Sequence, residues 1–214
     1  MVLPFARRGH VRAALHVAVR HLSTPLHRVE PHVPPAGRVL DFGCGYGSFA
    51  LLLRRTSSSR LVVGTDIDER RLAVARSASE GDPGVDFRDT LPSAATDTFD
   101  AVVVNDVLYL LPPDERSHLL ASLAACLKPG GVLLIKTVDP RHGIRFRLNA
   151  LQESLAVRAL GITKSARRAV FFVSDMGAFE AELGSLGFDV TAVALDRWYL
   201  HPHLLLLCRR SSDG

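Results

Sequence analysis

The sequence predicts an α/β fold: a doubly wound, mostly parallel seven-stranded sheet with an antiparallel last strand, an N-terminal helix, and a helical cap after strand five. Three observations carry the prediction. Short apolar runs alternate with helical stripes from Arg38 to Lys136, the repeat that builds a parallel sheet with right-handed crossovers. The first run, Val39-Leu40-Asp41-Phe42, ends in glycines at 43, 45 and 47 and opens at Ser48 into a helix. Acids then recur where later runs end, at Asp66, at Asp89 and at Asp106 beside Asn105.

Length and composition bound the rest. A chain of 214 residues can bury a complete core. No apolar run approaches the ~18 residues of a membrane span. The amino-terminal stretch is broken by Arg7, Arg8, His10, Arg12 and His16, so it does not read as a signal peptide. Cys44, Cys126 and Cys208 lack ligand-like spacing and read as free thiols, with no metal site expected and a reducing, cytoplasmic location. Charge is uneven. Residues 1–38 hold six arginines and one acid, and residues 141–170 hold seven basic residues and one acid. Between them, residues 39–140 hold ten basic and fourteen acidic residues. The expected organisation is a basic helical extension over 1–37 and a main domain over 38–214, with a cap insertion at about 141–173.

In chain order, residues 6–22 suit a helix with Val11, Leu15, Ala18 and Leu22 on one face. Arg8, Arg12, His16 and Arg20 fall on another face. Three readings stay open: a surface helix packed on the sheet, a lid that holds an anion, and a peripheral membrane contact through 6–22. Pro31, Pro34, Pro35 and Gly37 end the extension. Strand one is Val39–Phe42, with its helix from Ser48 to Arg55. Strand two is Leu61–Gly64, before Thr65-Asp66, and its helix is Glu69–Ser79. Strand three is Val85–Arg88, and strand four is the unbroken apolar run Phe99–Val104. A helix over Asp114–Leu127 is stopped by Lys128-Pro129-Gly130-Gly131 before strand five, Val132–Lys136. In the cap, Ile144, Leu148, Leu151 and Leu155 form a helical stripe. Ser174 is the expected N-cap of a helix through Leu186. Phe188–Leu195 and His203–Cys208 read as a hairpin at the sheet edge.

The glycine run proposes a nucleotide-like ligand lying almost on the backbone at a helix N-terminus. Its Gly-x-Gly-x-Gly spacing puts Ser48 where a dinucleotide fingerprint carries its third glycine, which disfavours nicotinamide and flavin. Asp66 stands about 20 residues beyond the loop, where a carboxylate takes ribose hydroxyls. An edge carrying Asp41, Asp66, Asp89 and Asp106 repels pyrophosphate and suits a cofactor that bears a cation.

On these residues the chain resembles the class I, Rossmann-like S-adenosylmethionine-dependent methyltransferases of the small-molecule type. The resemblance covers about residues 38–137. It rests on Leu40–Gly47, Gly64-Thr65-Asp66-Ile67-Asp68, Arg88–Pro92, Phe99-Asp100 with Asn105–Tyr109, and Leu127–Gly131, with a final strand at Gly187–Val190. It implies S-adenosylmethionine as cofactor and S-adenosylhomocysteine as product. Asp41 would approach the methionine amino group, and Phe42, Gly43, Cys44, Gly45 and Gly47 would form the loop along the cofactor. Asp66 would take the ribose, Ile67 would pack on adenine, and Asp89 with Thr90 and Leu91 would line the adenine pocket. Asn105 and Asp106 would face the methionine end. Cys44 reads as filling and Asp68 as a helix N-cap.

A hydroxyl or carbon-acid acceptor would also need a base. Tyr109, Asp139, His201 and His203 are the catalytic candidates, and each also has a packing reading. No nucleic-acid appendage is evident, and the basic residues lack interleaved aromatics. The expected acceptor is a small or carrier-bound molecule, with an acidic group held by the two basic blocks. Two alternatives remain at this point: a protein that binds the cofactor without transferring methyl, and an NAD(P)-binding oxidoreductase.

Overall fold

The computed structural model describes residues 4–5, 10–139, 173, 175–195 and 202–210. Strands β1 (Gly37–Phe42), β2 (Arg60–Thr65), β3 (Val85–Arg88), β4 (Phe99–Asn105), β5 (Leu127–Val138), β6 (Phe188–Ala194) and β7 (His203–Arg210) form one seven-stranded sheet. Its order is β3-β2-β1-β4-β5-β7-β6. The first five strands are parallel, and β7 runs antiparallel to both β5 and β6. The expected hairpin is present, but β7 lies between β5 and β6, leaving β6 at the edge. Burial explains the order. Leu204, Leu205 and Leu206 of β7 are apolar on both faces and fully covered, whereas β6 buries only Phe188 and leaves most of its residues exposed.

Helices pack on both faces: α1 (Val11–Ser23), α2 (Leu26–Val29), α3 (Ser48–Thr56), α4 (Glu69–Ala78), α5 (Pro113–Ala125) and α6 (Met176–Ser185). Strand alternation sorts the core into two layers. Leu40, Val102, Val104, Leu133 and Ile135 meet Leu120 and Leu123 of α5 and Phe179 and Leu183 of α6. Val39, Ala101, Val103 and Leu134 meet α2, Phe49 and Leu53 of α3, and Leu72 of α4.

Two local expectations are corrected. The run Lys128-Pro129-Gly130-Gly131 belongs to β5 and does not stop the preceding helix. That helix ends at Ala125 because the Cys126 N–H already bonds Leu123 and Ala124 carbonyls, and Leu127 pairs with Phe99 ahead of a register shift. The N-cap of α6 is Asp175, whose carboxylate accepts from the Ala178 N–H at 3.0 Å. Helix α1 packs on the domain through its small side chains. Ala13, Ala14 and Val17 face inward, against Leu51, Tyr46, Val74 and Ala78, while Val11, Leu15, Val19 and Leu22 face out. Small side chains let the helix approach closely. His16 and Arg20 are drawn in with them, His16 meeting the Tyr46 ring edge-on at 5.2 Å.

The extension is clamped to the domain by Arg60, which is 3% exposed. Its guanidinium donates to Glu30 Oε1 at 2.6 Å, Pro34 O at 2.7 Å, Val33 O at 2.8 Å and Thr56 Oγ1 at 2.8 Å. The cap over 141–173, apart from buried Val173, lies outside the described residues, as do Ser174 and His201. Among the described residues, no helix is long and apolar enough to cross a membrane.

Candidate active site

The parallel register brings the sequence-predicted acids to one edge. Phe42 sits beside Thr65 on one side and Val104 on the other, and Thr65 sits beside Arg88. The residues that follow these positions therefore crowd the carboxyl ends of β1 to β4, the ligand edge of an open α/β sheet.

Gly43, Gly45 and Gly47 all take positive φ, and two of them show different reasons for it. Gly47 is the N-cap of α3 with φ +73°, and a Cβ there would stand 2.5 Å from Phe87 Cζ. Gly45 has φ +56°, and a Cβ there would meet nothing within 4 Å. The first glycine is required by packing; the second borders open space. The loop is tied down by Asp66. Its Oδ2 accepts from the Gly45 N–H at 2.8 Å and its Oδ1 from the Asp68 N–H at 2.8 Å. Asp68 caps α4 as expected, accepting from the Arg70 N–H at 3.1 Å.

Asp41 is 2% exposed, at the end of β1. Burial pushes its carboxyl up to about 7, against the pull of Arg20 and of the Ala50 N–H that donates to it; nearby Asp66 adds to the rise. Its Oδ2 has no hydrogen-bond partner, and neither do both side-chain polar atoms of buried Asn105 and Oγ1 of buried Thr65. Such orphans are costly in a finished interior. At the carboxyl ends of β1 and β4, those of Asp41 and Asn105 have the donor and acceptor character that a cofactor carrying an ammonium and a carboxylate requires. Cys44 is held from this chemistry. Burial, then Asp41 and Asp66, push its thiol well above the usual range, so it stays protonated.

Asp106 lies beyond β4 with φ +58°, a left-handed conformation that aspartate tolerates better than most residues. Its N–H donates to Lys136 O at 3.1 Å, and its Oδ1 accepts from Lys136 Nζ at 2.6 Å. Burial works against the Asp106 charge, but Lys136, Arg20 and His203 outweigh it and hold the carboxyl below its ordinary value. Arg20 Nη2 donates to Asn105 O at 3.2 Å and lies 3.6 Å from Asp106 Oδ2. The N-terminal helix thus delivers a cation into the acidic edge.

The remaining candidates are divided. Tyr109 stands half-buried in the short turn Leu108–Leu110 after β4. Asp139 is buried at the end of β5, its N–H donating to Pro202 O at 2.8 Å. His203 is buried beside it and uses Nε2 to donate to Ser23 O at 3.0 Å, fastening β7 to the end of α1. Asp89 and Thr90 are exposed. Ile67 and Leu91 are large apolar side chains left 67% and 66% exposed. Sequence reasoning missed Lys136 and the inward turn of Arg20. A lysine inside the apolar strand Val132–Val138 is the signal that was available, because a buried ammonium demands a counter-ion.

Residues 13–193 match the profile of a methyltransferase-domain family. The chain belongs to this family. It is a class I S-adenosylmethionine-dependent methyltransferase, and the carboxyl edge of β1–β4 described above falls within the matched region. The methyltransferase is 37% identical to a carboxy-S-adenosyl-L-methionine synthase of Shewanella amazonensis, over 78% of this chain and 73% of that one. It is 39% identical to a trans-aconitate 2-methyltransferase of Variovorax paradoxus, over 54% of this chain and 44% of that one. An O-methyltransferase family protein from Burkholderia thailandensis superposes with a TM-score of 0.72 at 22% identity, covering 98% of this chain and 62% of that one. At that identity the likeness speaks for the fold. The chain spans less than half the length of the Variovorax relative. Neither curated relative is named for a nicotinamide enzyme or for a protein that only binds.

Proposed function

We propose that the carboxyl edge of β1–β4 holds S-adenosylmethionine and presents its methyl group to a small or carrier-bound acceptor with an acidic group. The observation that carries this reading is the set of buried, unpartnered atoms on Asp41 and Asn105 at the carboxyl ends of adjacent strands β1 and β4. In it, Asp41 pairs with the methionine ammonium, which favours ionisation of a carboxyl otherwise held near neutrality. Gly43, Cys44 and Gly45 offer backbone along the cofactor. Asp66, already fixed by two N–H donors, turns its remaining lone pairs to the ribose. Ile67 and Leu91 cover the adenine faces, with Asp89 and Thr90 at its rim. Asn105 and Asp106 face the methionine end, beside Arg20.

Bound there, S-adenosylmethionine supplies a methyl on a sulfonium, open to in-line attack. The chain's own task is mainly alignment, and holding a nucleophile in line is worth several kcal/mol. Acceptors that must lose a proton meet Tyr109 and Asp139 at the ends of β4 and β5, while His203, fastened to Ser23, acts as a positioning residue. Cytoplasmic placement belongs to the same reading and is supported by three free cysteines.

Incubation with methyl-labelled S-adenosylmethionine and cell extract, separated into small molecules, proteins and nucleic acids, tests the acceptor class. Label in the small-molecule fraction is expected, and label confined to protein or nucleic acid overturns it. Charge reversal at Arg145, Arg147 and Arg168 should raise acceptor KM and leave donor binding intact. An unchanged KM removes the acidic group from the proposal.

A further inference from the structure

Asn105 closes β4 after the buried apolar run over residues 101–104 and is itself only 4% exposed. Both polar atoms of its side chain lack a hydrogen-bond partner among the described residues. Two neighbouring cations pass the amide by. Lys136, beside it in the register, gives its Nζ to Asp106 Oδ1 at 2.6 Å, and Arg20 donates to the Asn105 backbone oxygen at 3.2 Å. An interior amide with its donors and its acceptor unmet is costly to keep, which points to a ligand that completes it.

Register says which part of a ligand reaches it. Asp41 stands beside Val103, so Asn105, two residues on, lies on the same face of the neighbouring strand. Strand spacing and rise put the two Cα atoms roughly 8 Å apart. Asp41 Oδ2 is likewise unpartnered among the described residues. One small group between them can bond both side chains. The two differ in what they offer. An ionised carboxylate only accepts, whereas an amide donates and accepts at once. An ammonium beside a carboxylate, the head of an α-amino acid, meets the full set: the ammonium on Asp41 and Asn105 Oδ1, the carboxylate on Asn105 Nδ2. Asp66, the ribose candidate, follows β2, on the far side of β1 from β4. A donor laid across β1 therefore brings its amino-acid end to Asn105.

We infer that Asn105 makes the site selective for a donor with a free α-amino acid, its Nδ2 donating to the donor's carboxylate. This rests on the proposed placement of S-adenosylmethionine at the carboxyl edge and goes beyond it in giving the donor carboxylate a side-chain partner. The test is calorimetric titration of the parent and of Asn105→Leu with S-adenosylhomocysteine and with 5′-methylthioadenosine, which keeps the adenosyl thioether and lacks the amino acid. The variant should bind S-adenosylhomocysteine at least ~10-fold more weakly and 5′-methylthioadenosine as the parent does. Its ligand-free melting temperature should hold or rise, since leucine fills similar space and removes atoms that have no partner. On the parent alone, the decarboxylated analogue of S-adenosylhomocysteine should bind at least ~10-fold more weakly than S-adenosylhomocysteine. Four results overturn the inference: an equal loss for both ligands in the variant, an unchanged S-adenosylhomocysteine affinity, a lowered melting temperature, or equal parent affinity for the decarboxylated analogue. A parent that binds no S-adenosylhomocysteine overturns the donor placement itself.

Discussion

Asp41→Asn isolates the electrostatic cost of burying this carboxylate at the end of β1. In the ligand-free fold the Asp41 carboxyl is pushed up to about 7 from an ordinary 3.8, first by burial. Between those two values the folded chain holds a proton that the unfolded chain releases. Stability therefore falls as pH rises from 3.8 toward 7 and is level above it. At about 1.4 kcal/mol per pH unit the whole cost approaches ~4 kcal/mol. Asparagine keeps the shape, and its Oδ1 can still accept from the Ala50 N–H, but it does not ionise. The variant should gain on the parent by roughly 3 kcal/mol between pH 5 and pH 8. Urea unfolding of both proteins without ligand at those two pH values measures the difference directly. Parallel profiles, agreeing to about 0.5 kcal/mol, refute the reasoning, because Asp41 would then ionise at no cost. Under the proposed reading, in which Asp41 pairs with the methionine ammonium, the same substitution should also weaken S-adenosylmethionine binding.

Arg20→Ala removes a cation that lowers the Asp41 carboxyl, so the stability profile of that variant should turn level at a higher pH than the parent's; an unmoved profile separates Arg20 from the site. Lys136→Met leaves Asp106 charged and buried, and should cost about 3–5 kcal/mol in urea unfolding. Adding Asp106→Asn should return part of that loss, and a fully additive double variant contradicts the pairing. Gly47→Ala should lower stability by about 2 kcal/mol or more through φ strain and contact with Phe87. Gly45→Ala should cost about 1 kcal/mol yet reduce cofactor affinity more than Gly47→Ala does, as calorimetry would show.

The first five strands were legible because each is a compact apolar run closed by an acid or a glycine, and the parallel rhythm leaves few topologies. The acids Asp41 and Asp66 were legible for the same reason, as polar interruptions at strand ends. What escaped notice depends on partners remote in the chain. The pattern of α1 favours burying Val11, Leu15 and Leu22. The fold buries Ala13, Ala14 and Val17 because close approach to α3 and α4 and a partner for Arg20, 85 residues away, outweigh bulk. The Lys136–Asp106 pair spans 30 residues and two strands. The hairpin of β6 and β7 was readable, but which of them meets β5 is decided by the two-sided burial of Leu204, Leu205 and Leu206. The Asp66 bond to the Gly45 N–H joins two motifs that sequence reasoning treated separately.

The most direct test of the donor edge is calorimetric titration of the purified chain, and of its Asp66→Asn variant, with S-adenosylhomocysteine and with NAD. Binding of S-adenosylhomocysteine to the parent is expected, weakened roughly 10-fold or more in the variant through lost charge-assisted hydrogen bonds, with no heat from NAD. Binding of NAD without S-adenosylhomocysteine, or equal S-adenosylhomocysteine affinity in both proteins, would contradict the placement of the cofactor along β1–β4.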